Sequence, residues 1–205
     1  MTEQLAARLL DALPHTQCAR CGQPDCAAYA HAIAAGRAAI NQCPTGGAEG
    51  VRRLAAITGQ RVQPLDPAHG AEAPRAVAWI DWQACIGCTR CVRACPMDCI
   101  SGAPHRLHTV IESECTGCAR CVAVCPLECI TMENASGSAT GWAAWSAVQA
   151  ARARARYAQV QARRAAPAAA PQQSATEANE AARRRAAVQA AMARARQRRD
   201  GAGTP

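Results

Sequence analysis

The chain has 205 residues, with no phenylalanine and only 3% aromatic residues, which argues against a large conventional hydrophobic core. No signal peptide precedes its 14 cysteines, so we predict a reducing cytosol and cysteines that bind metal instead of forming a disulfide scaffold. No run of about eighteen uncharged apolar residues occurs, so no transmembrane helix is predicted. The net charge of +8 lies at one end, because residues 1–150 carry 11 arginines and 12 acidic residues, whereas residues 151–205 carry 12 arginines and 3 acidic residues.

Three short helices are predicted in the first sixty residues. In the first helix, leucines recur at helical spacing after a threonine that can cap its N terminus, and a proline ends it. Proline near the start and glycine at the end bound the second helix, and glycine also ends the third. The predicted ranges are 2–13, about 24–36, and 51–57.

Four cysteines with the spacing C-x2-C-x4-C-x16-C lie among these helices. Four thiolates in such a short segment predict a metal site. The spacing favours an iron–sulfur cluster, with a four-cysteine zinc site as a serious alternative and plain buried thiols as the least favoured interpretation. The cysteines of this predicted N-terminal module (residues 1–60) are Cys18, Cys21, Cys26 and Cys43.

A sixteen-residue motif then occurs twice, thirty residues apart, with ten of sixteen positions identical. The copies are CIGCTRCVRACPMDCI from Cys85 and CTGCARCVAVCPLECI from Cys115. Each contains C-x2-C-x2-C-x3-C-P, the run that holds [4Fe–4S] clusters in bacterial ferredoxins, where the fourth cysteine ligates the other cluster. Zinc is a weak alternative, because zinc sites do not require a duplicated run with proline at the same place. The predicted sets are Cys85, Cys88, Cys91 with Cys125, and Cys115, Cys118, Cys121 with Cys95.

The predicted fold class is α+β, a small helical cluster module followed by a two-cluster ferredoxin-like domain. A linker rich in proline and glycine, residues 61–76, separates the module from this domain, residues 77–133. Short strands at 77–80 and 108–111 lead into the two repeats. Each repeat then follows a β–loop–α–loop–β pattern, so we expect pseudo-two-fold symmetry.

Four reactive residues beside the repeats are predicted not to be ligands. Cys99 and Cys129 occupy matching positions but are not needed to complete a site. We interpret them as buried thiols beside the clusters, with redox tuning or substitute ligation as the alternative. His105 and His108 are interpreted as loop residues or neighbours of the ligands, because the cysteine sets are already complete.

Residues 134–205 are predicted to form an Ala/Arg-rich tail that is helical or partly disordered. Trp142 and Trp145 open a first helix that extends to about residue 164, and they are placed to dock it to the body or to a partner. A second helix is capped by Ser174 and Glu177 and extends to about residue 199. The simplest interpretation is a solvated extension. An anionic membrane surface or acidic partner comes next, and nucleic acid is least favoured because Tyr157 is the one aromatic residue after Trp145.

Taken together, the cysteine groups resemble those of the B subunit of the Rnf (Rsx) electron-transport complex. The resemblance runs from about Leu13 to Met132 and includes LPHTQCARCGQPDCAAYAHAI, NQCPTGG and both repeats. It implies a [4Fe–4S] cluster on the N-terminal cysteines as well, and therefore three clusters on twelve cysteines. It also implies a relay of single electrons within a complex that couples electron flow between ferredoxin and a nicotinamide nucleotide to ion movement.

The same resemblance implies a position on the cytoplasmic face of the bacterial inner membrane, with other complex subunits and a ferredoxin or flavin-containing protein as partners. Family members usually open with a membrane anchor, so we expect a short form that contacts the membrane through its partners. The sequence contains no G-x-G-x-x-G run, P-loop or nucleophile–base pattern, so no catalytic site of its own is predicted. The alternatives are a soluble polyferredoxin serving another oxidoreductase and an iron–sulfur redox sensor that binds nucleic acid.

Overall fold

The structure is a computed structural model that describes residues 2–166, residue 180 and residues 182–192. The chain divides into two compact units, Met1–Arg163 and Arg164–Pro205. The described residues combine helices with two small antiparallel sheets, as the predicted mixed class requires. The elements are α1 (Thr2–Asp11), α2 (Cys26–Ala34), α3 (Gly47–Thr58), β1 (Ala76–Ile80), α4 (Arg90–Ala94), β2 (Ile100–Ser101), β3 (Thr109–Val110), α5 (Arg120–Ala123), β4 (Ile130–Asn134) and α6 (Ala147–Ala165), with 3-10 turns at Pro67–His69, Glu112–Glu114 and Gly141–Ala144.

The three helices predicted near the N terminus are all present, with shifted bounds. α2 begins at Cys26 because the Asp25 side chain accepts a hydrogen bond from the backbone N–H of Ala28, at 2.7 Å, and so caps the helix. α3 begins earlier than predicted and ends at Gly59, whose φ of 72° is the left-handed conformation that glycine adopts readily. The three helices enclose one apolar core that includes Leu9, Leu13, Tyr29, Ile33, Ile40 and Leu54.

Two antiparallel sheets join the segments that flank the cysteine repeats. β1 pairs with β4, from Ala76 opposite Asn134 to Ile80 opposite Ile130. β2 pairs with β3 in the same sense. The strands predicted before each repeat are both present, although the second is only Thr109–Val110. The first and last strands of this region are therefore partners, which holds both repeats in one body.

The two repeats also share their backbone conformation. Three pairs of residues, each thirty positions apart, have positive φ angles in the left-handed region. Residues other than glycine rarely adopt this conformation, so the agreement extends the sequence repeat to backbone geometry. The pairs are Gly87 (68°) with Gly117 (72°), Thr89 (60°) with Ala119 (58°), and Asp98 (45°) with Glu128 (51°).

The prediction of a solvated extension is wrong for the first tail helix, which is α6, because this helix packs against the rest of the first unit. It begins at Ala147, after the 3-10 turn, and its arginines contact acidic side chains and backbone carbonyls. The positive charge of these arginines is therefore partly neutralised within the chain, which weakens their attraction for an anionic partner. The pairs are Arg152 and Arg156 with Glu114, Arg154 with Asp11, and Arg163 with Asp98, and Arg156 also donates to the carbonyls of Met97 and Asp98.

Trp142 and Trp145 dock the start of this tail, as predicted. Both side chains are buried, and Trp142 Nε1 donates a hydrogen bond to the Ala12 carbonyl oxygen at 3.2 Å. The Arg53 guanidinium lies 4.1 Å from the centre of the Trp142 ring. Residues 142–145 are therefore held by the N-terminal helices.

In the second unit, residues 182–192 are helical and fall inside the second predicted tail helix. The cap predicted at Ser174 and Glu177 lies outside the described residues. Every helix in the described residues is too short or too polar to cross a bilayer.

His15 gives the folded chain a predicted sensitivity to acid. The side chain is buried, and burial lowers its pKa from 6.5 to about 4, opposed by a hydrogen bond to the backbone of Leu10. Between these values the unfolded chain binds a proton that the folded chain does not, so stability falls as the pH falls. We expect wild type to lose about 2 kcal/mol more than His15→Asn between pH 7 and pH 5, measured by denaturant unfolding. The exposed His31→Asn variant, which keeps His15, is the control and should retain the loss that His15 causes.

Candidate iron–sulfur centres

One cavity is lined by the first predicted ligand set, Cys85, Cys88, Cys91 and Cys125. Three of its cysteines come from the first repeat and the fourth comes from the second, as crossed ligation requires. The rest of its wall is Ile80, Ile86, His108, Pro126, Leu127, Cys129 and Ile130.

A second cavity is lined by the other predicted set. Here Cys115, Cys118 and Cys121 come from the second repeat and Cys95 comes from the first. The crossed arrangement therefore occurs twice, with one cavity for each repeat. The remaining wall is Ala78, Met97, Cys99, Ile100, Thr116, Ala119 and Met132.

Glycine is required in the loops that carry the first cysteines of each repeat. A Cβ on Gly87 would lie 2.6 Å from the backbone nitrogen of Arg106, and one on Gly117 would lie 2.3 Å from the carbonyl oxygen of Ala76. These neighbours are backbone atoms, which cannot move aside as the end of a flexible side chain can. The glycines therefore let each loop lie against the adjacent chain and direct its thiols inward.

The four N-terminal cysteines are also brought together. Burial raises the pKa of the Cys43 thiol to about 12, and repulsion from Cys18 and Cys21 acts in the same direction. Burial holds the pKa of Cys26 well above its usual value, and repulsion from the other three thiols adds to this effect. Cys21 lies in the apolar core of the N-terminal helices, and Cys26 and Cys43 pack against that core. A bound metal centre would supply the positive charge that lets them ionise together.

Gln17 supports this group and was missed by sequence reasoning. Its side chain is 2% exposed, and its Oε1 accepts a hydrogen bond from the backbone N–H of Cys26 at 2.9 Å. A lone glutamine beside a cysteine carries no signal of this contact. On the other side of the group, Cys18 Sγ lies 3.6 Å from Thr45 Oγ1. These contacts tie together the loops that carry the four thiols.

The spacing of the thiols bears on the choice between zinc and a cluster. Across the described parts of the chain, no group of three or more His, Cys, Asp or Glu side chains is arranged to hold one metal ion. A zinc site needs four ligands, with sulfur about 2.3 Å from one ion. A [4Fe–4S] cluster is larger and takes four cysteine thiolates around its periphery.

Cys99 and Cys129 each lie against a predicted ligand. Cys99 Sγ is 3.4 Å from Cys95 Sγ, and Cys129 Sγ is 3.4 Å from Cys125 Sγ. Hydrogen bonding from the Cys99 thiol lowers the pKa of both Cys95 and Cys115 to about 6. Cys99 and Cys129 therefore each lie in contact with one predicted ligand, as the prediction of thiols beside the clusters requires.

His108 also lies against predicted ligands, while His105 is exposed. His108 Nδ1 is 3.5 Å from Cys91 Sγ and 3.9 Å from Cys85 Sγ, and the ring is buried. Gly102 makes room for it, since a Cβ there would lie 1.8 Å from the ring carbon Cδ2. The ring is placed to donate to thiolate sulfur with its Nδ1–H tautomer.

Comparisons with known proteins agree with this geometry. Residues 78–132 match the model of the 4Fe-4S dicluster domain family, and residues 13–45 match that of the putative Fe-S cluster family. These two matches contain all twelve predicted ligands. No solved structure matches the chain.

Curated relatives extend the comparison to a named component of a complex. The chain is 56% identical over 110 residues to the B subunit of the ion-translocating oxidoreductase complex of Thiobacillus denitrificans, covering 54% of this chain and 58% of that protein. It is 57% identical over 100 residues to the B subunit of the same complex from Azoarcus sp., covering 49% and 55%. The chain spans about half the length of the curated relatives it matches. Over that part, it is a relative of the B subunits of ion-translocating oxidoreductase complexes.

Proposed function

We propose that the chain holds three [4Fe–4S] clusters and serves as the iron–sulfur electron-transfer subunit of an ion-translocating oxidoreductase complex. The observation that carries this proposal is the pair of cavities, each lined by three cysteines of one repeat and one of the other. When bound, such clusters supply reversible one-electron chemistry. The proposed sets are Cys18, Cys21, Cys26 and Cys43; Cys85, Cys88, Cys91 and Cys125; and Cys95, Cys115, Cys118 and Cys121.

The chain's own residues then control water and charge around the sulfurs. Met97 and Ile100 are buried in the wall of the second cavity and exclude water from it. The backbone N–H of Ala78 donates to Cys115 Sγ at 3.5 Å, at the position in its repeat that matches His108. Burial and hydrogen bonds to sulfur are the means by which proteins set cluster potentials. We therefore expect the two ferredoxin-type centres to differ in potential.

The proposal also covers domains, partners and location. We propose a cluster module at residues 1–60, a linker at 61–76 and a two-cluster ferredoxin-like domain at 77–133. The relatives' names support membership of a multi-subunit complex. The proposed partners are other subunits of that complex and a ferredoxin or flavin-containing protein, met at the cytoplasmic face of the inner membrane.

Two measurements test this function. Anaerobically purified protein should contain about twelve iron and twelve acid-labile sulfide per chain. Eight iron, with or without one zinc, would contradict the N-terminal cluster. A tagged pull-down from gently solubilised membranes should recover integral membrane subunits and a flavoprotein, whereas recovery of soluble oxidoreductases alone would identify a free polyferredoxin.

His108→Leu should lower the reduction potential of one ferredoxin-type centre by about 50 mV, because a hydrogen bond to thiolate sulfur favours the more negative reduced state. An EPR-monitored redox titration would measure the shift. The centre held by Cys95, Cys115, Cys118 and Cys121 should keep its potential and serve as the internal control. His108→Gln, which retains a donor, should recover part of the shift. Equal shifts in both centres would point to a general structural effect instead.

A further inference from the structure

The two ferredoxin-type cavities have different surroundings. The cavity of Cys95, Cys115, Cys118 and Cys121 faces the N-terminal residues of the chain. Thr116 Oγ1, in its wall, donates to the carbonyl oxygen of Thr16 at 2.9 Å, and both threonines are buried. Nearby, Arg120 Nη2 donates to the Pro24 carbonyl oxygen at 2.6 Å. This centre therefore lies against the module that carries the other four cysteines.

The cavity of Cys85, Cys88, Cys91 and Cys125 instead lies next to solvent. Two of its wall residues, Ile86 and Leu127, are 57% and 46% exposed. They are apolar side chains with one side on the cavity and the other on the surface. An exposed apolar pair directly over a redox site is a feature of a contact surface.

An open groove between α4 and α5 reaches the same cavity. Its walls include Arg90, Arg93, Val124 and Pro126, and Cys125 lies in both the groove and the cavity. The groove therefore gives access from solvent to one ligand of this centre. We call this groove, together with Ile86 and Leu127, the Arg90–Cys125 face.

The Arg90–Cys125 face carries positive charge that can attract an acidic partner. Arg90 and Arg93 are exposed, and neither forms an ion pair with any residue that the structure describes. Arg93 makes a hydrogen bond to Thr89 Oγ1 at 2.7 Å, which holds its guanidinium beside α4. Arginines of α6, in contrast, are paired with acidic side chains of the same unit. Two unpaired arginines around an apolar centre complement an acidic protein surface.

We propose that the Arg90–Cys125 face docks the acidic surface of a soluble one-electron carrier protein, an inference that rests on the proposed function. One electron crosses the interface, so that one protein is oxidised as the other is reduced, and no bond or proton is exchanged. Electron transfer slows steeply with distance, and docking here brings the carrier next to Cys125. The centre beside the N-terminal module then leads toward that module, and the centre beside Arg90 and Arg93 is the port to the carrier.

The test uses the full chain with its clusters and a reduced acidic [2Fe–2S] ferredoxin as the probe. Stopped-flow spectra at low ionic strength give the bimolecular rate constant. We expect Arg90→Glu/Arg93→Glu to slow the reaction at least about tenfold and to remove most of its salt dependence. Arg37→Glu/Arg61→Glu makes the same change in net charge at exposed sites elsewhere and should slow it less than about twofold. With the chain reduced beforehand by dithionite and ferric, basic cytochrome c as the electron acceptor, the Arg90→Glu/Arg93→Glu variant should react faster than wild type.

The outcomes separate this inference from the proposed function. Equal slowing by both double variants, no slowing by either, or no reaction between wild type and the acidic ferredoxin would overturn the docking face. In each of these cases the function stands if dithionite reduces the expected number of clusters. A wild-type chain without reducible clusters would overturn the function itself. Iron content and EPR spectra of the variants must equal those of wild type, because altered spectra would place the two arginines in the cluster fold and also overturn the docking role.

Discussion

Cys85→Ala/Cys125→Ala should cost the protein one cluster, about four of its roughly twelve iron atoms, whereas Cys115→Ala/Cys125→Ala should cost two. The first pair of cysteines lines one cavity, and the second pair is divided between both. Local ligation, in which each repeat supplies four ligands to its own cluster, predicts the reverse order. Iron, sulfide and EPR spin counts on the two double variants therefore decide between the models.

The neighbouring free thiol requires a control in this experiment. Cys129 Sγ lies 3.4 Å from Cys125 Sγ and could take over ligation when Cys125 is removed. Both double variants are therefore made with Cys129→Ala. Cys129→Ala alone should retain about twelve iron atoms, and a loss of four in that single variant would make Cys129 a ligand.

Trp142→Ala should destabilise the first unit by about 4 kcal/mol, the largest effect that we expect from a residue outside the cysteine sets. The ring is 7% exposed, donates to the Ala12 carbonyl and lies under the Arg53 guanidinium. Its removal leaves a large cavity and an unpaired carbonyl oxygen. Denaturant unfolding under anaerobic conditions, with cluster content matched between samples, measures the change.

Two further variants resolve the causes of that loss. Trp142→Phe keeps most of the apolar volume and removes the indole N–H, so it should cost about 1–2 kcal/mol. Trp82→Ala removes the same side chain where it is 60% exposed and should cost less than about 0.5 kcal/mol. If Trp142→Ala is as mild as Trp82→Ala, the tail does not depend on this contact.

The grouping of three cysteines of one repeat around each cavity could be predicted because it depends on short-range chemistry. A loop with C-x2-C-x2-C brings three thiolates around one centre whatever surrounds it, and a repeat with the same spacing must do the same. The glycines of these loops carry a similar local signal, since φ angles of 68° and 72° favour that residue. The N-terminal helices followed from the spacing of their leucines and from proline and glycine at their ends.

The tertiary structure decided what lies against these sites. Thr116 contacts Thr16 across 100 residues of sequence, Trp142 contacts Ala12 across 130, and α6 uses its arginines on the body of the first unit. Such pairs have no periodicity or fixed spacing, because they form only after separate elements have packed. The same packing places one cavity against the N-terminal residues and leaves the other beside the exposed Arg90 and Arg93. The sequence by itself therefore determined which cysteines are candidates for each centre, because their spacing is local, and only the packed chain decided which side chains surround each cavity.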